Sequence, residues 1–493
     1  MHQLPGPDVS GGTRQRHHPI DLRSGCWALC GLLLATLMIA IAWATGKYGN
    51  ARCLGELPLW LALTFTAAGI YLVASLIQPS RGARVVFMIV IALAMRLSLC
   101  FTLPIASTDY NRYLWDGAVT AAGADPYRFS PRQVLKNEAH DPRIQRLAGP
   151  GLGLKTLQRV NCAHLRTIYP PVAQGLFAIA YWISPFDVLG WRIMLLFFDA
   201  LAAIAVLVLL RRVGLPLVNW AIYLWNPLLV SETYLGGHLD IIAAALVIAF
   251  AAALFQRRTV LAAVLLALAA GTKLWPMLLV FFLVRPVWRD YRRMAWTLGS
   301  FAAISAAILV PFAIAAAGPD SGLEDYGRHW VGGEGAYRFL EDAAQWLVGV
   351  GGFGIDPAGL ARKIMMGVLL LTAAWLGLRK WNDISTLCRY LAMTVMVMLL
   401  VSPILWPWYY LAVVPLAAVA GSRLAFLAWT LLLPLCYLPD NTVTPNQLLI
   451  FMHLPVWILL FGEGFLAKRL RLGRRASGAI VIDSATSKES GRP

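Results

Sequence analysis

Apolar runs close to the thickness of a bilayer follow one another along almost the whole chain, and they leave few folds open. A helix needs roughly 20 mostly apolar residues to cross the hydrocarbon core. Runs near that length cover residues 26–44, 57–77, 85–103, 193–210, 215–234, 241–255, 260–284 and 294–317, with more before the C-terminus. Each run is continuous rather than alternating, which excludes a β-barrel. Only 14% of the 493 residues are charged and 59% are hydrophobic, with a mean hydropathy of +0.65; a soluble domain carries about a quarter charged residues. The expectation is an all-α, polytopic transmembrane helix bundle.

The net charge of +17 does not point to nucleic acid. Lys and Arg sit in short loops beside the apolar runs, where they set orientation, and no soluble segment carries a basic stripe with interleaved aromatics. Arg81 and Arg84, Arg211-Arg212, Arg257-Arg258, Arg285 through Arg293, Arg379-Lys380, Arg423 and the tail from Lys468 all fall on one side if the 260–284 run is broken near Gly271-Thr272-Lys273. That side is then cytoplasmic. Both termini are cytoplasmic as well, and about fourteen spans result. Residues 1–25 read as a cytoplasmic tail, and 468–493 as a basic, disordered one. The 170–184 stretch, opened by Tyr169-Pro170-Pro171, is short for a crossing and reads as interfacial or re-entrant; if it crosses, every later orientation inverts. The seven Cys show no CxxC pair and no spacing of a metal site.

Polar chemistry gathers at one end of this bundle. Residues 107–131 follow the third run and open a long outer loop, 104–168; a second outer loop covers 318–343. A helix over 107–123, capped by Ser107 or Thr108 and ended by Gly123, places Asp109, Arg112, Tyr113 and Asp116 on one face. Arg112 is then within reach of either carboxylate. Asp109 falls in the first turn, where the helix dipole favours its ionised form. Asp125-Pro126-Tyr127-Arg128 reads as a turn returning the chain to the membrane.

Three further motifs belong to the same end. Gly236-Gly237-His238-Leu239-Asp240 separates two apolar runs, with glycines that permit close approach. His238 and Asp240 have the character of metal ligands, but no third ligand lies nearby, so a cap or a supporting role fits Asp240 better. Lys273 interrupts an apolar run ahead of Trp275-Pro276 and needs either a partner, a wet cavity or a route to the interface; an anion such as phosphate suits it. Trp406 through Tyr410 form an aromatic cluster suited to a membrane belt, a sugar ring or a prenyl chain.

In order along the chain, Asp109-Tyr110 through Asp116-Gly117, Asp125-Pro126-Tyr127, Tyr169-Pro170-Pro171, Asn226-Pro227-Leu228, Gly237-His238-Leu239-Asp240, Lys273-Leu274-Trp275-Pro276 and Pro407-Trp408-Tyr409 resemble the GT-C superfamily. The closest likeness is to the bacterial polyprenyl-phosphate-mannose-dependent mannosyltransferases of glycosyltransferase family 87. The resemblance implies an outward-facing site, a lipid-linked donor, and a catalytic base that maps onto Asp109. It also implies a GT-C-like catalytic module over 84–343, two added N-terminal spans over 26–83, and C-terminal spans over 344–467.

The expected function is therefore transfer of a sugar, mannose by resemblance, from polyprenyl phosphate to a glycan or glycolipid hydroxyl at the outer face of the cell membrane. A single base with direct displacement inverts the anomeric centre. Asp109 and Asp116 are the catalytic candidates. Lys273, Arg112 and Arg128 are candidates for the donor phosphate. Tyr110, Tyr113, Tyr127, His238, Asp240, Trp275, Trp408 and Tyr409 are supporting or substrate-binding candidates. No cofactor or metal is expected. The competing readings are a transporter or flippase of a lipid-linked or anionic solute and, within the enzyme class, transfer of arabinose or glucose.

Overall fold

The computed structural model describes residues 22–46, 57–77, 79, 85–102, 104, 107–318, 320–351, 354–421, 424–438 and 442–463. The expected tails, with Arg81, Arg84 and Arg423, lie outside the described residues, apart from the start of the first helix. Among the described residues there is no strand, and Gly332 and Ile404 form an isolated bridge. The architecture is the all-α membrane bundle that the apolar runs predict.

Three helices come first: α1 (Leu22–Gly46), α2 (Leu57–Ile77) and α3 (Val85–Cys100). The long loop carries α4 (Asp109–Ala121) and the short helices α5 (Pro131–Leu135), α6 (Pro142–Leu147) and α7 (Leu152–Gln158). Then follow α8 (Pro171–Ile183), α9 (Val188–Arg212), α10 (Trp220–Leu224), α11 (Pro227–Val230), a π-helical turn Ser231–Leu235, α12 (Asp240–Phe255), α13 (Thr259–Thr272), a 3-10 turn Trp275–Val280, α14 (Phe281–Val284) and α15 (Tyr291–Ala316). The second loop holds α16 (Gly322–Arg328), and α17 (Ala336–Gly351) leads to α18 (Pro357–Leu378) and α19 (Ile384–Val401). A 3-10 turn Pro407–Ala412 precedes α20 (Val413–Ala420), and α21 (Leu424–Leu427), α22 (Trp429–Leu432) and α23 (Pro445–Leu448) lie towards the C-terminus. Among the described residues, seven helices of 18 or more residues are apolar enough to cross a membrane, and seven more apolar helices are shorter.

Helix starts follow local chemistry. Asp187, Asp290, Asp356 and Asp383 each accept backbone N–H groups as N-caps of α9, α15, α18 and α19. Such caps satisfy donors that a helix leaves unpaired in its first turn. The 215–234 run reads as one apolar segment, but the structure breaks it at Asn226. Pro227 disfavours helical backbone at the residue before it, and Asn226 turns to φ −67°, ψ 111° and caps α11 through its side chain. The 260–284 run breaks at Lys273, which is extended at φ −148°, ψ 140°.

At the centre, α12 packs against α9 and α13. Ala244, Ala251, Ala262, Ala263 and Ala267 are fully buried there; small side chains let helices approach closely where lipid leaves no hydrophobic drive for association. Large apolar side chains stay exposed on α15 and α18, including Trp296, Ile314 and Leu371, as a hydrocarbon-facing surface requires. The N-terminal helices are fixed to this core by polar contacts. Tyr71 donates to the Ile222 carbonyl at 2.8 Å, and Trp225 Nε1 to that of Met88 at 3.1 Å. Arg96 meets Asp199 at 2.7 Å, and Tyr223 and Tyr234 each donate to that carboxylate at 2.6 Å.

Candidate active site

Helix α4 is the platform of the site. Its first residue, Asp109, donates its N–H to Ser107 Oγ at 3.1 Å, while Thr108 makes no side-chain cap. Gly123, at φ +72°, lies just past its end, a left-handed conformation that favours glycine. The helix packs against α8 across Gly117, where a Cβ would stand 2.4 Å from the Phe177 carbonyl oxygen. The expected 125–128 turn is present: Asp125 Oδ1 accepts the Tyr127 N–H at 2.8 Å. Tyr127 then donates its hydroxyl to the Tyr169 carbonyl at 2.9 Å.

The Asp109 side chain is 22% exposed. It accepts from Asn161 Nδ2 at 2.6 Å. Burial pushes its proton affinity above the usual carboxylate range, against the opposing pull of the Asn161 and Ser107 hydrogen bonds and the Lys273 and Arg112 charges. The helix dipole alone predicts a weaker base; desolvation is the larger effect and makes Asp109 a stronger one.

Opposite Asp109 stands the 236–240 segment. A Cβ at Gly236 would lie 2.6 Å from the His238 ring, and Gly237 adopts φ +72°, so both glycines serve close passage of the chain. The Gly237 carbonyl accepts from Trp191 Nε1 at 2.7 Å. His238 is fully buried; its Nδ1 is 4.0 Å from Asp109 Oδ2, and its Nε2 is 3.5 Å from Glu232 Oε2. The imidazole stacks on Trp408 at 3.7 Å, and Trp408 stacks on Trp406 at 5.5 Å. Asp240, the first residue of α12, accepts from Lys273 Nζ. Lys273 lies 4.1 Å from the centre of the Tyr409 ring, and the Tyr409 and Tyr326 hydroxyls are 2.9 Å apart.

Sequence candidates thus divide into two groups. Asp109, His238, Asp240, Lys273, Trp408 and Tyr409 are linked by direct contacts. Tyr110 borders Gly237, and Tyr113 packs edge-on against Tyr169 with ring centres 5.1 Å apart. The others are engaged elsewhere. Arg112 forms no ion pair with Asp109 or Asp116 in the structure; its guanidinium donates to the Asn161 and Cys162 carbonyls, each at 3.1 Å. Asp116 is buried and accepts from Gln174 at 3.3 Å, and burial raises its proton affinity. Arg128 is exposed over the Phe129 ring, Tyr127 packs on Phe312, and Trp275 packs against the main core.

Sequence reasoning missed Glu232, Asn161, Tyr326 and Tyr437. A signal existed for Glu232, since a carboxylate inside an apolar run needs a reason to be there. Asn161, Tyr326 and Tyr437 come from segments distant in sequence, and no local pattern marks them. Among the described residues, no group of three or more His, Cys, Asp or Glu is placed to hold a metal ion.

A polytopic helical membrane protein whose acids, lysine and aromatics converge where its helices break has the build of an integral-membrane glycosyltransferase. The family described as alpha-(1->6)-mannopyranosyltransferase, N-terminal domain, matches residues 28–289. That is more than half of the chain. The chain belongs to this family and is a multi-pass membrane mannosyltransferase of the GT-C type. The match runs from within α1 through α14 and takes in both sides of the Asp109–His238 contact. No curated protein and no solved structure matches the chain.

Proposed function

We propose that the protein moves mannose from polyprenyl phosphate to a hydroxyl of a glycan or glycolipid at the outer face of the membrane, with inversion at the anomeric carbon. The observation that carries this reading is Asp109: a largely buried carboxylate, fixed by Asn161, facing the 236–240 segment, whose Asp240 pairs with the half-buried Lys273. Glycosyl transfer from a lipid phosphate needs a base for the acceptor hydroxyl and positive charge for the departing phosphate. Asp109 takes the hydroxyl proton as that oxygen attacks the anomeric carbon, and the bond to the phosphate oxygen breaks with its electrons on phosphate. One such displacement inverts the centre.

Lys273 supplies positive charge, since an ammonium has three donors and only one is engaged by Asp240. Arg112 acts by holding the 161–162 backbone, and therefore Asn161, against α4. Arg128 is free to meet a lipid phosphate from outside. Asp116 braces Gln174 and through it the start of α8. The outward orientation is supported by the distribution of Arg and Lys beside the spans.

A donor panel tests this. Purified protein receives polyprenyl-phosphate mannose, arabinose or glucose, or a nucleotide-linked mannose, and the anomer of the product is read by NMR. Transfer from polyprenyl-phosphate mannose with inversion supports the proposal. Transfer from the nucleotide sugar alone, or a retained anomer, overturns it.

A further inference from the structure

His238 poses a problem that its neighbours answer. The imidazole is fully buried, and neither ring nitrogen has a hydrogen-bond partner. Buried polar atoms are nearly always satisfied, so an exception calls for an explanation. Here each nitrogen has a carboxylate oxygen as a neighbour: Nδ1 that of Asp109, 4.0 Å away, and Nε2 that of Glu232, 3.5 Å away. Glu232 is also buried, and Tyr437 donates its hydroxyl to it at 2.9 to 3.0 Å. The ring is held in this line by Trp408 stacked on its face and by the absence of a side chain at Gly236.

We propose that His238 and Glu232 form a buried proton relay behind Asp109, with Tyr437 fixing its far end. The relay rests on Asp109 being the base. A neutral imidazole carries one N–H and one bare nitrogen, so it donates to only one of its two carboxylates. With Nε2–H directed at Glu232, the bare Nδ1 faces Asp109. As the acceptor oxygen bonds to the sugar, its proton passes to Asp109. That proton moves on to Nδ1 while the Nε2 proton moves to Glu232. The line begins with two carboxylates and a neutral imidazole and ends with ionised Asp109, neutral imidazole and protonated Glu232, so charge and protons balance. After product leaves, the same steps run backwards and the proton is lost to water through the partly exposed Asp109. Separations of 3.5 and 4.0 Å are longer than a working hydrogen bond, and the relay requires them to shorten during turnover, as catalytic hydrogen bonds do in the reacting complex.

The groups facing the line are few. Asp109 comes from α4, Glu232 from the π-helical turn, Asp240 from the head of α12 and Lys273 from the end of α13, with Tyr437 behind Glu232. A merely structural histidine needs none of this alignment. The relay explains the glutamate inside an apolar run and the His-to-carboxylate geometry together.

The test uses full-length protein, polyprenyl-phosphate mannose and acceptor, with kcat and KM followed against pH. Glu232→Gln is expected to lower kcat by about 100-fold with donor KM nearly unchanged, and to alter the acidic limb of the kcat profile. His238→Phe keeps the stack on Trp408 and is expected to lose at least as much. Should either variant fail to fold, the proton inventory of the wild-type enzyme in H2O–D2O mixtures decides: a curved plot supports several moving protons, and a straight one contradicts the relay. Asp109→Asn separates the two readings. If it is inactive while Glu232→Gln and His238→Phe turn over like wild type, the relay is wrong and the base stands. If it remains active, the base itself is wrong.

Discussion

Lys273 donates to Asp240 Oδ1 while its ammonium lies 4.1 Å from the centre of the Tyr409 ring. The lysine that breaks the 260–284 run therefore has a buried counter-ion as well as an aromatic face. Removing one partner of a buried pair leaves the other charge uncompensated, at a cost of about 3–5 kcal/mol. Lys273→Met is expected to lower the thermal stability of the purified protein by an amount of that order, and the double variant with Asp240→Asn to recover much of it. Equal stability of the single variant and wild type would mean that the pair contributes nothing. If Lys273 also meets the donor phosphate, the double variant keeps a raised donor KM after its stability returns.

Arg96 and Asp199 make a second buried pair, with Tyr223 and Tyr234 completing the carboxylate's partners. Arg96→Met is expected to destabilise by about 3–5 kcal/mol, and Tyr223→Phe by about 1–3 kcal/mol through a lost donor. Unfolding of each variant in the same detergent measures this. A stable Arg96→Met protein would show that the Arg96–Asp199 pair adds nothing to the hold of α3 on α9.

Much of this was legible in the sequence, for physical reasons. Length and continuous apolarity mark the spans, because the bilayer sets how long an apolar helix must be. Asp109, His238, Asp240 and Lys273 were visible as polar residues where helices break. Pairings were less legible. Spacing puts Arg112 on the face of Asp109 and Asp116, yet its guanidinium is drawn to the carbonyls of Asn161 and Cys162, which lie some 50 residues on. The basicity of Asp109 was read from the helix dipole, a local effect, whereas the dominant one is burial by segments that only the fold brings near. Glu232 escaped notice because the 215–234 run reads as one span until Asn226-Pro227 breaks it.

Gly117 sets the seat of α4. A Cβ there would lie 2.4 Å from a backbone oxygen, that of Phe177, and backbone cannot swing aside as a side chain does. Gly117→Ala is expected to cost about 1–3 kcal/mol of stability through overpacking. It is also expected to lower kcat by up to about 100-fold, since small displacements of reacting groups weigh heavily. Unchanged kcat in the alanine variant would mean that α4 need not be held this closely to α8.

The pH dependence follows from the raised proton affinity of Asp109. A base works only when ionised, so activity rises with pH through its folded-state pKa. The acidic limb of kcat/KM is expected above the ordinary aspartate value of about 3.9. Stability runs the other way: the folded state holds this proton more tightly than the unfolded one, so the Asp109 contribution falls as pH rises from the ordinary value to the raised one. Asp109→Asn is then expected to be no less stable than wild type at neutral pH. A clear loss of stability in that variant would contradict a desolvated, destabilising carboxylate.

The most direct measurement is release of polyprenyl phosphate from polyprenyl-phosphate mannose, coupled to acceptor mannosylation, by purified wild-type and Asp109→Asn proteins of matched folding. The expected result is stoichiometric release and transfer by wild type, with a loss of about 1,000-fold or more in the variant. Turnover by Asp109→Asn at the wild-type rate would contradict the assignment of Asp109 as the base.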